Sequence, residues 1–312
     1  RNTATPGGTT AGFRLVPTGG WDAFGATDAR PFYLDIDFDA WGTSGNYYRK
    51  WTESNDNLTD ATVHTIGGLA ADTPYEVTVD GSRQDLSGEG VYMSDGSGQI
   101  SFTYSGDYTD AVFEMREYVI PFEQGVVSNV DNDGWDTVNL SNTYTTPVVV
   151  CTPNYDDQSV PLVARVRSAS GASFQVQAAR ADGQAGTVTG VDVHYFVIEA
   201  GAYTAATHGV TLEAATYTST VTDSDSSWVG EARSCQNAYT NPVVVGQVMT
   251  ANDAGWSAFW ARGASAVDPP SNTTLYTGKH VAEDTDTTRE NETIGYVVFE
   301  AGTGEVGGVG FS

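Results

Sequence analysis

Aromatic rings, carboxylates and a few arginines are the side chains that could do chemistry in this chain. Trp256 and Trp260 stand four residues apart, a spacing that places both rings on one face if they share a β-strand. Sugars stack their C–H faces on aromatic planes, so the pair predicts a glycan-binding platform. The alternative is that the two rings fill the core of a sandwich. The glycan-binding hypothesis includes five further residues: Arg262, Arg167, Tyr47, Tyr48 and Trp51.

An acidic turn offers a second candidate site. Asp131, Asp133 and Asp136 place carboxylates around a glycine, Gly134, in an arrangement that suits calcium. The turn lacks the downstream glutamate that supplies a bidentate ligand in calcium loops. The sequence therefore leaves two interpretations open, a calcium site and a turn in which aspartate side chains bond to the backbone.

Cysteine chemistry is restricted to two residues, Cys151 and Cys235. Two thiols are too few for a disulfide framework or for a thiolate metal centre. They are enough for one bridge, so a Cys151–Cys235 disulfide and a pair of free thiols are both open alternatives.

Catalysis has little support in the sequence. The four histidines fit no metal-binding spacing, and there is no Gly-x-Ser-x-Gly motif. Glu199 and Glu300 are the best-placed carboxylates for glycoside chemistry, but they occupy the same position in two repeated segments. A glycosidase needs two carboxyls in different roles at one cleft, so the equivalence predicts a structural task such as closing a turn. We expect no enzyme; a polysaccharide-degrading activity would require acids of different domains to meet.

The charge balance excludes one large class of function. The chain has 40 acidic and 14 basic residues among 312, a formal net charge of -26, and only two lysines. Nucleic-acid phosphates would be repelled. Many short carboxylates and few lysines are typical of a surface adapted to salt, which screens the repulsion between the charges. We therefore predict a saline environment; an ordinary acidic secreted protein is the alternative.

Hydrophobic patterning predicts strands throughout the chain. Runs of β-branched and aromatic residues are separated by Gly, Asp, Asn and Ser, and a period of two recurs, as in segments 75–79 and 100–104. No long stretch has a clean helical period, and no apolar run is long enough to cross a bilayer. The sequence predicts an all-β fold without a membrane span and, from its start at Arg1, a processed chain.

Self-similarity predicts the organisation of the rest of the chain beyond its first third. The matching segments are 142–150 (NTYTTPVVV) with 237–245 (NAYTNPVVV), at an offset of 95, and 195–201 (YFVIEAG) with 296–302 (YVVFEAG), at an offset of 101. The second copy therefore carries about six extra residues, which we place between Asp268 and Asn291. Two repeated sandwich domains are predicted, residues 119–215 (copy 1) and 216–312 (copy 2).

The first third of the chain has a different pattern. Residues 68–81 (GLAADTPYEVTVDG) resemble part of a fibronectin type III or immunoglobulin-like sandwich, where a leucine before a proline-containing turn leads into a tyrosine-bearing strand. The resemblance implies a sandwich domain within residues 1–118, so three β-sandwich domains in tandem are expected. The arm at residues 1–10 and the glycine-rich end at 304–312 would suit strand exchange between neighbouring chains.

The two copies resemble H-type lectin domains, which are small six-stranded sandwiches that bind sugars and commonly form trimers. The resemblance rests on the Pro-Val-Val-Val strand, on residues 163–177 (VARVRSASGASFQVQ) and on residues 191–198 (VDVHYFVI). It implies the sandwich fold, carbohydrate recognition and oligomers. The family's usual tryptophan phrase in the last strand is missing from both copies, so no individual sugar contact is transferred.

Together these patterns predict an extracellular, cell-surface or virion-surface protein that adheres to cell-surface or environmental glycans. Several weak sites on one homo-oligomer or polymer would raise its affinity. The competing hypothesis is a structural subunit of an extracellular filament, virus tail or capsid spike, in which the lectin-like domains only contact other subunits. Neither hypothesis needs a cofactor beyond the calcium ion considered above.

Overall fold

The computed structural model describes residues 3–4, 13–17, 35–54, 61–83, 86, 90–154, 160–182, 184–225, 227–282 and 284–312. Their regular structure is β-strand apart from one four-residue helix, so the prediction of an all-β fold is confirmed. The chain divides into two compact units. Unit 1 comprises Arg1–Val119 and Ala205–Gly209, and unit 2 comprises Ile120–Thr204 and Val210–Ser312. Unit 2 contains both copies, and most of the arm at residues 1–10 lies outside the described residues.

Unit 1 is a sandwich of two antiparallel sheets. Its elements are β1 (Thr3–Ala4), β2 (Phe13–Pro17), β3 (Asp35–Trp41), β4 (Arg49–Ser54), β5 (Thr62–Ile66), β6 (Pro74–Val79), β7 (Val91–Met93), β8 (Ile100–Tyr104), β9 (Ala111–Glu117) and helix α1 (Ala205–His208). One sheet has the order β1-β2-β5-β8 and the other β3-β4-β9-β6-β7. Burial alternates along β4, β5 and β8, so every second side chain of these strands enters the space between the sheets.

The core of unit 1 combines aromatic rings with one buried polar pair. Trp51 stacks on Phe113 with ring centroids 5.1 Å apart. Glu53 Oε1 accepts a hydrogen bond from Trp51 Nε1 at 2.8 Å and lies 2.9 Å from His64 Nε2. All these side chains are completely buried. A buried carboxylate needs such partners, so Glu53 and His64 hold strands of the two sheets together.

Unit 2 is made of the two copies and a carboxyl-terminal hairpin. Its strands are β10 (Phe122–Val130), β11 (Asp136–Tyr144), β12 (Pro147–Asn154), β13 (Leu162–Arg180), β14 (Val191–Glu199), β15 (Gly201–Tyr203), β16 (Leu212–Ser219), β17 (Thr222–Asp223), β18 (Glu231–Arg233), β19 (Pro242–Val248), β20 (Ala258–Arg262), β21 (Leu275–His280), β22 (Glu292–Glu300), β23 (Gly304–Val306) and β24 (Val309–Phe311). Copy 1 has the sheets β10-β14-β12 and β11-β13. The sheets of copy 2 are β15-β16-β22-β19 and β17-β21-β18, with β20 paired to β21; β15 and the start of β16 come before residue 216.

The two copies are built on the same three central strands. In copy 1, β14 lies between β10 and β12; in copy 2, β22 lies between β16 and β19. The registers also correspond, because Pro147 faces Glu199 in copy 1 and Pro242 faces Glu300 in copy 2. The sequence match therefore reflects an equivalent sheet, whereas the domain boundaries drawn from the sequence stay a prediction.

Carboxylates close the same turn in both copies. Glu199 accepts the backbone N–H groups of Thr145 and Thr146, each at 2.7 Å. Glu300 accepts those of the two equivalent residues of copy 2, at 2.7 and 2.8 Å. Each glutamate ends its strand and fixes the turn that enters the neighbouring strand. The structural task expected from their equivalence is confirmed.

The second sheet carries the main difference between the copies. Asp136 faces Val176 where β11 pairs with β13, as Glu231 faces Thr277 where β18 pairs with β21. In copy 1, β13 folds back on itself through Ser168 and Gly171, which have positive φ values of 54° and 57°. In copy 2, residues 263–274 connect β20 to β21. The extra residues lie in this longer connection, which begins before the range expected from the sequence.

The two cysteines lie beside different hydrophobic clusters. Cys151 is buried in the cluster of copy 1, and the half-buried Cys235 packs against that of copy 2. Both are free thiols, so the structure contains no Cys151–Cys235 bridge. Burial raises the pKa of both thiols, which makes each a weaker nucleophile than an exposed cysteine.

Candidate functional site

The outer face of the second sheet in copy 1 carries a row of polar side chains. Val138 and Phe174 are buried in the core. Their neighbours Thr137 and Gln175 face each other across β11 and β13 and therefore project to the opposite side. Arg167, on the first half of β13, joins them because its Nε donates to Gln175 Oε1 at 2.8 Å.

An arginine stacked on an indole completes this face. The Arg167 guanidinium lies 4.2 Å from the Trp135 ring centroid, a cation–π contact. Gln175 Nε2 donates to Thr137 Oγ1 at 3.2 Å, so the side chains form a short chain of hydrogen bonds. We call Trp135, Thr137, Arg167 and Gln175 the copy 1 outer face.

Copy 2 also has an arginine–aromatic contact on its outer face, although the ring comes from a different element than Trp135. Arg262 faces Tyr276 across β20 and β21, and its guanidinium lies 4.1 Å from the Tyr276 ring centroid. Val176 in copy 1 and Thr277 in copy 2 face equivalent residues of the neighbouring strand. The residues that precede them, Gln175 and Tyr276, are therefore counterparts. A planar cation on an aromatic ring is thus common to both outer faces.

The two arginines differ in the donors that remain available. Arg262 uses all three nitrogens on backbone carbonyls, those of Trp228 at 2.8 Å, Val229 at 3.1 Å and Gly263 at 2.7 Å. In the part of the chain that the structure describes, the two terminal nitrogens of Arg167 have no protein acceptor. Arg167 can therefore donate to a ligand, whereas Arg262 holds a loop in place.

The aromatic residues selected from the sequence are mostly internal. Trp51 is completely buried, and Trp256 and Trp260 are only 8% and 9% exposed. Trp256 precedes β20 and does not share the strand with Trp260, so the two rings form no exposed platform. Tyr47 is half-buried against Tyr75, with ring centroids 6.0 Å apart.

The last aromatic residue of the glycan-binding hypothesis is Tyr48, whose side chain is half-buried in unit 1. Arg49 is buried and donates to the carbonyls of Gly42, Gly67 and Gly68. Among the described residues of unit 1, the start of β4 is therefore a packed strand end, and its aromatic side chains form no exposed platform for a sugar.

The acidic turn is organised by its own backbone. Asp131 Oδ1 accepts the N–H groups of Asp133 and Gly134, both at 3.2 Å, which is the geometry of an Asx turn. The Asp131 carboxylate raises the pKa of Asp133, because it accepts a hydrogen bond from the protonated Asp133 side chain and repels its charged form. Among the described residues, no three or more potential ligands gather into a metal-binding group. The contacts of Asp131 therefore favour the Asx-turn interpretation, and the calcium site at Asp131, Asp133 and Asp136 stays a prediction.

An apolar groove of about 310 Å³ lies elsewhere in unit 2. It is formed by the sheet of β10, β12 and β14 together with the carboxyl-terminal hairpin. Most of its lining is apolar, and the side chains of Gln124, Thr152, His194 and Tyr195 add polar groups. The apolar lining includes Phe122, Val150, Phe196, Phe299, Val306 and Phe311.

The sequence predicted both arginines as site residues but not the side chains that they contact. Trp135, Gln175 and Tyr276 were not assigned to any site. A usable signal was present, because Thr137 and Gln175 alternate with the apolar residues Val138 and Phe174. Alternation alone places these polar residues on the solvent side of a sheet.

Comparison of this chain with protein-family models, with curated proteins and with solved structures finds no match. Within the described residues, no helix has the length and apolar character needed to span a membrane.

Proposed function

We propose that the repeated half of this chain binds glycans and that the protein acts as an extracellular or virion-surface adhesin. The observation that carries the proposal is an arginine stacked on an aromatic ring on the outer face of both copies, Arg167 on Trp135 and Arg262 on Tyr276. Such a pair combines hydrogen-bond donors for hydroxyl groups with an apolar surface for sugar C–H groups. The resemblance of both copies to H-type lectin domains points in the same direction.

Copy 1 is the better sugar site of the two. Arg167 has terminal nitrogens to offer, while Gln175 and Thr137 add an amide and a hydroxyl beside them. Sites of this shallow, polar kind bind weakly, so useful affinity would come from several sites on one oligomer.

The test is a glycan array in molar KCl with the full chain and three arginine variants. Arg167→Ala removes the available donors and should weaken binding roughly tenfold or more, because hydrogen bonds to charged groups contribute about 1.5–3 kcal/mol. Arg262→Ala should mainly lower the melting temperature, since it frees three backbone carbonyls. Arg180→Ala, on the same strand as Arg167 and paired with Asp182, is the charge-matched control. Equal binding by the wild type and Arg167→Ala would contradict the proposal.

A structural subunit is the second candidate, and exposed valines favour it. Val243 is 48% exposed and Val267 is 90% exposed in copy 2. Val243 also lines an open recess beside Pro269 and Pro270. Exposed apolar groups around such a recess suit subunit contacts. A wild-type chain that binds no glycan on the array would favour this candidate.

A further inference from the structure

Three rings form a compact cluster on the outer face of the second sheet of copy 2. Trp228 stacks on His280 with centroids 4.2 Å apart and meets Trp260 edge-on at 5.3 Å. Trp228 is 42% exposed, whereas His280 and Trp260 are 8% and 9% exposed. The indole of Trp228 therefore lies between solvent and the other two rings.

Two buried donors in this cluster have no acceptor. His280 Nδ1 accepts the N–H of Ala282 at 2.8 Å, so the proton of the neutral ring is on Nε2. His280 Nε2 and Trp260 Nε1 are both buried, and neither has a partner among the described residues. An unpaired buried N–H is unfavourable, and a ligand oxygen would remove the penalty.

Hydrogen bonds with two side chains, those of Asp223 and Arg262, fix the backbone at Trp228. Asp223 accepts the N–H groups of Val229 at 2.8 Å and Gly230 at 3.2 Å. Arg262 donates to the carbonyls of Trp228 and Val229. With the backbone fixed, a change of the Trp228 rotamer is the motion that would uncover the two rings beneath it.

The Trp260 indole, by contrast, packs closely against the backbone of two glycines. A Cβ at Gly230 would lie 2.7 Å from the Trp260 ring, and one at Gly278 would lie 2.8 Å from it. Both distances are too short for any side chain. The Trp260 indole thus forms a rigid part of the cluster, and Trp228 is its movable part.

We propose that Trp228 is a movable cover over a second sugar site, in which His280 Nε2 and Trp260 Nε1 donate to oxygens of a neutral pyranose. The sugar would stack its C–H face on the displaced Trp228 indole. The Asp223 carboxylate lies against Gly278 and disfavours an anionic sugar there. This inference rests on the proposed glycan-binding function and assigns copy 2 a different site from that of copy 1.

The experiment titrates the full chain in molar KCl with neutral methyl pyranosides, including glucosides, galactosides and their N-acetylamino forms. Binding is followed by tryptophan fluorescence and by the indole N–H signals in ¹H–¹⁵N NMR spectra. At least one pyranoside should perturb the Trp228 and Trp260 signals saturably. Trp228→Leu should abolish that response, and Trp260→Phe or His280→Phe, which keep a ring but remove the donor, should weaken binding roughly five- to tenfold. Trp256→Phe, in a buried tryptophan outside the cluster, is the matched control and should bind as the wild type does.

Two results would overturn the inference, and they differ in what they imply for the proposed function. If pyranosides bind and only Arg167→Ala reduces binding, the cluster is no sugar site although copy 1 is. If no pyranoside perturbs any indole signal and the glycan array is also silent, both proposals fail. Trp228 is exposed, so Trp228→Leu keeps the test decisive even if the two buried substitutions destabilise the fold.

Discussion

Glu199 and Glu300 show how one residue keeps the same task in two copies. Each carboxylate accepts two backbone N–H groups of an exposed turn. Charge-assisted bonds of this kind are stronger than neutral ones, so removing the charge weakens both bonds and leaves the donors to water.

We predict equal and additive losses of stability for Glu199→Gln and Glu300→Gln. Each variant replaces a charged acceptor by a neutral one and should lower the free energy of unfolding by about 1–3 kcal/mol. Denaturant unfolding of the full chain measures the change. Glu305→Gln alters the charge equally at an exposed position and should have little effect. A silent result for one of the two turn variants would show that the copies do not share this task.

The exposure of Trp256 and Trp260 is a residue-level property that the sequence did not predict. A spacing of four residues puts two rings on one face only if both belong to one strand, and β20 begins at Ala258, after Trp256. Trp260 does project to the outer face, but Trp228, from a distant part of the chain, covers it. Which ring reaches solvent depends on that long-range contact, which no local pattern contains.

Among the elements, the central strands were the most predictable. The Pro-Val-Val-Val segments match because β12 and β19 hold the same register against β14 and β22. The hairpin within β13 and the longer connection of copy 2 were less predictable, since turn residues tolerate insertion without changing the paired strands. The sequence match therefore located the sheets better than the loops.

Helix α1 is an element that the sequence did not indicate. Its four residues lie within the range predicted for copy 1 but belong to unit 1. His208, at its end, is half-buried and meets Tyr118 edge-on, with centroids 5.2 Å apart. Burial, with a smaller contribution from the charge of Arg83, lowers the pKa of His208 to about 4.

This shift predicts an acid-sensitive contact. The folded-state pKa of about 4 lies below the ordinary 6.5, so the unfolded chain binds more protons between these values. The stability contributed by His208 is complete above pH 6.5 and is lost as the pH falls through about 4. After allowance for solvent screening, the loss should be about 1–2 kcal/mol.

Two measurements check the His208 prediction. NMR titration of the His208 imidazole, assigned by comparison with His208→Gln, should give a midpoint near 4. The unfolding free energy of the wild type should also fall more steeply than that of His208→Gln between pH 6.5 and 4. A midpoint at the ordinary value, with parallel pH profiles, would mean that the imidazole is solvated in the folded chain.

For the molecule as a whole, few of the described charged side chains lie in the interior. The few buried charges are bonded: Arg289, with a side chain that is 1% exposed, contacts Asp284 at 2.8 Å, and Glu292 accepts N–H groups of Asn252 and Asp253. The net charge of -26 is the excess of acidic over basic residues, so these acids have no compensating base and repel one another across the surface.

That repulsion predicts a stability that rises with salt. The screening length falls from about 10 Å at 0.1 M to about 3 Å at 1 M, so the melting temperature should increase from low to molar KCl. Screening depends on ionic strength alone, so NaCl should give the same curve, with its steepest part at low concentration. A gain that appears with sulfate but not with chloride would instead indicate exclusion of the salt from the protein surface. A melting temperature that falls as KCl is added would rule out the salt-adapted surface, because the acidic groups would then be stabilised by partners that salt weakens.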